Sequence, residues 1–270
     1  MATLHALITH QGGREVERSV ELLQAVAPDS RVVVFHGGRR EQFEEISLEE
    51  KVFLEDPDLR GAPRHLQSWT EVFERAWERW VRDDPEWDSL YLFEYDHLVL
   101  RADFEARLRE LAAATRADFM GKNCVERTAT NWEHYIRYRA DPLLLEHLRR
   151  VSVREDPTTF YGCLGNGMWL SRRALGAYVA VNNHPPCYNE TYVPTLMHHL
   201  GMKVVDVDAH SDLYRTVRWV PEFTVQEVIE IISDGGVFVH PVKDPTVGEA
   251  LRTLGASAEP AGIGTEDVSE

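Results

Sequence analysis

The chain has 270 residues, 43% hydrophobic and 27% charged, enough for one large α/β domain with a sizeable core. Its formal net charge of −16 disfavours a sequence-independent grip on nucleic acid or on an anionic lipid surface, both of which need a basic face. The three cysteines, Cys124, Cys163 and Cys187, are odd in number and widely spaced, which disfavours a disulfide framework or a cysteine zinc site and fits a reducing, cytoplasmic setting.

The N-terminal half alternates strand and helix. Leu4 to Thr9 reads as a first strand and not as a signal peptide, because it lacks a basic start and a long apolar run. Val16, Val20, Leu23 and Ala27 fall at helical spacing, so residues 13–27 are expected to form an amphipathic helix, closed by a turn at Pro28-Asp29-Ser30. Arg31 to His36 is a second strand, stopped by Gly37-Gly38. Val52 to Leu54 is a short third strand ending at Glu55-Asp56. Leu66, Trp69, Phe73, Ala76 and Trp80 form a helical stripe before the apolar strand Ser89–Phe93. Phe104, Leu108 and Leu111 mark the next helix, and Asp118 to Gly121 one more short strand. This alternation predicts a mostly parallel central sheet flanked by helices.

The second half is less regular. Residues 122–160 are rich in aromatic and basic side chains, with a helix expected across Pro142–Arg150. A segment with glycines at 162, 165 and 167 follows, and Ser171 is placed to cap a helix over 172–181. The loop Pro185-Pro186-Cys187-Tyr188-Asn189 delivers a helix over 190–200, ended by Gly201. Strands are expected at Val204–Val207 and Val237–His240, with a Thr224-capped helix between them. Residues 256–270 are polar and Gly/Pro-bearing and are expected to be a disordered tail. No stretch approaches the length of apolar sequence that a membrane span needs.

Three places carry candidate chemistry. Glu94-Tyr95-Asp96 puts two acids where a buried strand emerges, a costly arrangement unless a partner or an oxygen-loving cation is present. Glu190 opens a helix, where an acid can also merely complement the helix dipole. His240 ends a late strand with Lys243 three residues on. Each has a plain structural reading by itself: solvated acids, a satisfied histidine, a surface lysine.

Taken in order, these elements resemble nucleotide-sugar-dependent glycosyltransferases of the GT-A fold, over roughly residues 2–245. Glu94-Tyr95-Asp96 matches that family's Asp-x-Asp position, with Glu in place of the first acid. Gly162 to Trp169 matches its glycine segment near the donor sugar, Glu190 the base of its inverting members, and His240 its late metal ligand. The resemblance implies a Rossmann-like GT-A sheet in a single catalytic domain over 1–255. Its nucleotide-binding half would span about 1–121, with a smaller mixed acceptor-side half beyond. It also implies Mn²⁺ or Mg²⁺ held by Asp96 and His240 with Glu94, and a nucleoside diphosphate sugar as donor.

Thr9, His10, Gln11, Asp56, Glu94, Tyr95, Gly165, Asn166 and Lys243 are then the expected donor contacts. Trp132, Tyr135 and Trp169 are the expected acceptor contacts, with core packing as the alternative for these aromatics. Glu190 would take the acceptor proton. A sugar nucleotidyltransferase is the rival enzyme, although Gln11-Gly12-Gly13-Arg14 is too short for the basic phosphate loop such enzymes carry. A dinucleotide oxidoreductase is disfavoured by the missing Gly-x-Gly-x-x-Gly. A degenerate, non-catalytic sugar- or partner-binding domain is the rival outside enzymes. The sugar, the nucleotide, the acceptor and the oligomeric state are not written in these residues.

Overall fold

Five parallel or antiparallel partners gather around β4 (Trp87–Glu94) and β1 (Ala2–Thr9), the longest strands among the described residues. The computed structural model describes residues 2–55, 68–128 and 130–255. Asp56, Leu66 and the tail 256–270 lie outside the described residues.

The chain builds the sheet outward and then returns. From β1 it passes through helix α1 (Gly13–Val26) to β2 (Arg31–His36), then through α2 (Arg40–Glu44) to β3 (Lys51–Phe53). Helix α3 (Ser68–Ala76), continued by one π-helical turn over Trp77–Val81, carries the chain back to β4 on the other side of β1. The short β5 (Leu98–Val99), α4 (Phe104–Thr115), β6 (Phe119–Gly121) and β7 (Val125–Glu126) follow.

Then come α5 (Glu133–Tyr138), α6 (Pro142–Val151), β8 (Tyr161–Gly162), β9 (Met168–Ser171), α7 (Arg172–Val179), α8 (Asn189–His199) and β10 (Val204–Asp206). The last elements are α9 (Val225–Ser233), β11 (Phe238–Val239) and α10 (Pro245–Gly255). The central sheet has seven strands in the order β10-β6-β9-β4-β1-β2-β3. All neighbours run parallel except β9, which is antiparallel to both β4 and β6. The expected mostly parallel, helix-flanked sheet of a Rossmann-like fold is what the chain forms.

Strand periodicity explains the two faces. Leu4, Ala6, Val33, Phe35, Leu90 and Leu92 point to one side and pack under α3, α6, α7 and α8. Leu7, Val32, Val34, Tyr91 and Phe93 point to the other, under α1 and α4. Both faces are covered, which is why β4 reads as a continuous apolar run.

Helix starts follow the sequence signals. Ser171 Oγ accepts the Ala174 N–H at 3.1 Å, and Asp141 Oδ1 accepts that of Leu144 at 2.9 Å ahead of Pro142. Thr224 and Glu227 form a reciprocal capping box on α9. The glycine-bearing segment, for which the sequence marks no strand, is partly strand. It contains β8 and the whole of β9, a strand inserted antiparallel into the sheet.

Candidate active-site cleft

Strand order reverses at β1, which has β2 on one side and β4 on the other. In open α/β sheets the carboxyl ends beside such a switch point form a crevice where ligands bind. Here a cleft of about 910 Å³ opens at that place. Register puts Ile8 level with Glu94, so both strands deliver their last residues to its floor.

Glu94, Asp96 and His240 meet in the cleft, with one ligand atom from each lying within 4.8 Å of the others. The meeting has a backbone cause. A turn closes with the His97 N–H donating to the Glu94 carbonyl at 3.0 Å, and β5 then pairs antiparallel with β11. That pairing carries the end of β11 back past Asp96, whose carbonyl accepts the Val242 N–H at 2.9 Å. His240 Nε2 stands 3.4 Å from both Glu94 Oε2 and Asp96 Oδ1.

The ring's other nitrogen, Nδ1, donates to the Arg218 carbonyl at 2.8 Å. That bond fixes the ring and leaves Nε2 to face the carboxylates, the arrangement that orients an imidazole toward a metal. Asp96 is 4% exposed, and its Oδ1 has no hydrogen-bond partner. Burial works against a charged His240, but the Asp96 and Glu94 carboxylates outweigh it and hold the imidazole at about 9. Two carboxylates and one imidazole, with the buried Asp96 Oδ1 met only by the His240 ring at 3.4 Å, fit a divalent cation of the Mn²⁺ or Mg²⁺ kind.

Glu190 lies in the same cleft, in the first turn of α8. Its Oε1 accepts the Gly165 N–H at 2.7 Å, and the Tyr188 hydroxyl also hydrogen-bonds the carboxylate. Burial, with the Glu94 charge adding to it, pushes the carboxyl up to about 7, against the pull of the Gly165 N–H and Tyr188. A Cβ on Gly165 would come within 2.8 Å of both Glu190 Oε1 and Trp69 Cη2. Only glycine lets the backbone reach this carboxylate.

Asn166 joins the two centres. Its Oδ1 accepts the Glu94 N–H at 3.1 Å, while its Nδ2 is buried without a partner. Behind them, His97 Nε2 lies 2.9 Å from the Tyr91 hydroxyl, which bonds that of Tyr214. The Tyr214 hydroxyl donates in turn to the Gly167 carbonyl at 2.6 Å. This buried chain fastens the Gly165–Gly167 turn to the strand that bears the acids.

Among the described residues, the other expected donor contacts also line the cleft. Thr9, His10 and Gln11 close β1, and Gln11 Nε2 donates to the Tyr95 hydroxyl at 3.2 Å. Lys243 lines it too, with Nζ 3.3 Å from Glu222 Oε1.

The expected acceptor aromatics are not among the cleft-lining residues. Trp169 is 6% exposed, sits in β9 opposite Tyr91 and Met120, and packs in the core on the α1 and α4 side, the alternative weighed for these aromatics. Trp132 lies over the Gly162 backbone beneath the Arg127 guanidinium, and Tyr135 packs edge-on against Phe160. The sequence reading passed over several lining residues: Trp69, Tyr188, Gly37, Gly38, Arg39, Gln42, Trp219 and Val220. Tyr188 had a usable signal, two residues before Glu190 in the same loop. Its ring stacks on His134 at 3.6 Å.

No protein-family model matches the chain, and no curated protein matches it. Among solved structures, it is similar to a glycosyltransferase involved in the glycosylation of the major capsid of PBCV-1. That likeness has 9% identity and a TM-score of 0.42, covering 94% of this chain and all of that one. It is also similar to CMP:2-keto-3-deoxy-manno-octonic acid synthetase in complex with CTP. There the identity is 11% and the TM-score 0.41, covering 77% of this chain and 90% of that one. Likenesses this distant say nothing about chemistry, which must be read from the cleft itself.

Proposed function

We propose that this chain is a divalent-metal-dependent glycosyltransferase that moves a sugar from a nucleoside diphosphate donor to an acceptor hydroxyl with inversion. One observation carries the reading. A metal-type cluster of Glu94, Asp96 and His240 shares a cleft, at the sheet's switch point, with a buried carboxyl held near 7. The first suits a diphosphate leaving group and the second suits proton abstraction at neutral pH.

Asp96 and His240, with Glu94, are the residues that would hold the cation, which when bound neutralises negative charge on the departing diphosphate. Lys243 adds a point charge at the same end. The nucleoside would lie over the β1 and β2 ends, between Thr9–Gln11 and Gly37–Gln42. Asn166 Nδ2, buried and unpaired, is a donor available to a sugar hydroxyl. Glu190 would accept the proton of the attacking hydroxyl, held in place by Gly165 N–H and Tyr188.

The test is hydrolysis or transfer from a panel of nucleoside diphosphate sugars, with and without Mn²⁺, in wild type and Asp96→Ala. Release of nucleoside diphosphate that depends on Mn²⁺ and is lost in the variant is expected. Metal-dependent turnover in Asp96→Ala would remove the metal assignment. Release of inorganic pyrophosphate from a nucleoside triphosphate and a sugar phosphate would make the enzyme a nucleotidyltransferase instead.

A further inference from the structure

Among the described residues, the exposed large apolar side chains are Ile136, Leu143, Val153, Trp219 and Val220. Of these, Trp219 and Val220 line the cleft that holds Glu190 and the Glu94–Asp96–His240 cluster. Trp219 is 65% exposed and Val220 64%. An exposed indole beside an exposed valine at the lip of a cleft offers a flat amphipathic face to a ligand inside it.

The segment that bears it is firmly held. Val217 bridges to His240, the Arg218 N–H donates to the His240 carbonyl at 3.0 Å, and His240 Nδ1 donates back to the Arg218 carbonyl at 2.8 Å. The Arg218 guanidinium lies 3.5 Å over the Phe223 ring and donates to the Pro221 carbonyl at 2.7 Å. The residue before Trp219 is therefore clamped to the same histidine that faces the two acids.

The chemistry of the lip narrows what can sit on it. The place proposed above for the nucleoside is over the β1 and β2 ends, between Thr9–Gln11 and Gly37–Gln42. An anionic partner would meet Glu94, Asp96 and Glu190 in a chain of net charge −16. An alkyl chain would need a continuous apolar groove, whereas His240, Lys243 and Glu94 line the same cleft. A ring with an apolar C–H face and a hydroxyl rim satisfies both the indole and its polar neighbours.

Building on the glycosyltransferase reading above, we propose that Trp219 is the stacking platform for a neutral sugar ring of the acceptor, so that the acceptor is a saccharide. Trp219 takes the role that sequence reasoning gave to Trp132, Tyr135 and Trp169.

The experiment measures binding of wild type, Trp219→Ala and Trp219→Phe to an array of immobilised neutral gluco-, galacto- and manno-oligosaccharides. Calorimetry with UDP and GDP in the presence of Mn²⁺ runs beside it. Saccharide binding should fall about ten-fold in Trp219→Ala and stay within about two-fold in Trp219→Phe. Because the indole is largely exposed, circular dichroism of the variants should match wild type. No saccharide binding by wild type, or an unchanged signal in Trp219→Ala, overturns the proposal. So does an equal loss of nucleotide affinity, which would assign the indole to the base. Saccharide binding that needs Trp219, in a protein that turns over no donor, would sink the glycosyltransferase reading and leave the platform standing.

Discussion

Replacing Glu190 by glutamine should cost turnover and raise stability, and the gain should depend on pH in a defined way. The carboxyl sits at about 7 in the folded protein against an ordinary value of 4.5. Folding therefore favours its protonated form. That contribution is fully present below about pH 4.5 and is lost as pH rises through about 7. Above that, keeping an ionised Glu190 folded costs about 3 kcal/mol, at about 1.4 kcal/mol per pH unit. The side chain is 9% exposed, so solvent screening removes little of this.

Glutamine is nearly isosteric, carries no charge, and keeps an oxygen for the Gly165 N–H. In metal-free buffer with a chelator, Glu190→Gln should exceed wild type only slightly near pH 5 and by nearly the full amount at pH 8. At roughly 2–4 °C per kcal/mol for a chain of this size, the gain at pH 8 is about 6–12 °C in melting temperature. Thermal melts across pH 5–8.5 measure it. The chelator matters, because a cation beside Glu94 would weaken the repulsion that helps raise Glu190. A difference independent of pH, or a wild type that is more stable at pH 8, would refute the idea that burial holds this carboxyl up. Turnover in the same variant should fall by about 10²–10⁴, the usual worth of a general base.

Three further outcomes bear on the site. His240 sits at about 9 without a cation, so at pH 7 Mn²⁺ binding must expel its proton. Calorimetry in buffers of different ionisation enthalpy should report release of about one proton per cation, with apparent affinity rising with pH until about 9. Release of none would mean that His240 is not a ligand. Gly165→Ala would force a methyl to within 2.8 Å of Glu190 and Trp69. It should destabilise by about 1–3 kcal/mol in urea melts and reduce turnover, whereas a neutral result would remove the close approach from the argument. Tyr188→Phe deletes a hydrogen bond that lowers Glu190, so the acid limb of the pH–rate profile should move upward from about 7; a limb that stays or moves down contradicts the contact.

The parts legible in the sequence were those with a period. β1, β2 and β4 carry apolar runs bounded by turn signals, the helices α1, α3 and α4 carry helical stripes, and each lies close to its expected place. The strand-end acids, Glu190 and His240 were visible because charge at the edge of an apolar run is uncommon. β9 was hidden: Met168, Trp169 and Leu170 are buried on both faces, so no alternation separates them from a glycine loop. β5 has two residues, too few for a pattern, whereas β11 falls inside the strand expected at Val237–His240, and the pairing of the two is what brings His240 to Asp96. Aromatic residues gave no direction. Composition marks Trp169 and Trp219 alike, and only the fold sends one into the core and the other to the cleft lip.

The charges of the cleft limit how the site can work. Glu94, Asp96 and Glu190 face it with His240 and Lys243, and Lys243 is already engaged by Glu222. Without a cation, the His240 proton is the main counter-charge to the two acids at the strand end, and Glu190 is held near neutrality by burial and by Glu94. On the glycosyltransferase reading proposed above, a divalent cation on the strand-end acids would offset the Glu94 charge that adds to burial in raising Glu190. A bound diphosphate would restore negative charge at that end, so Glu190 would be a stronger base in the loaded cleft than with the cation alone. Proton abstraction would then be tied to the presence of the donor.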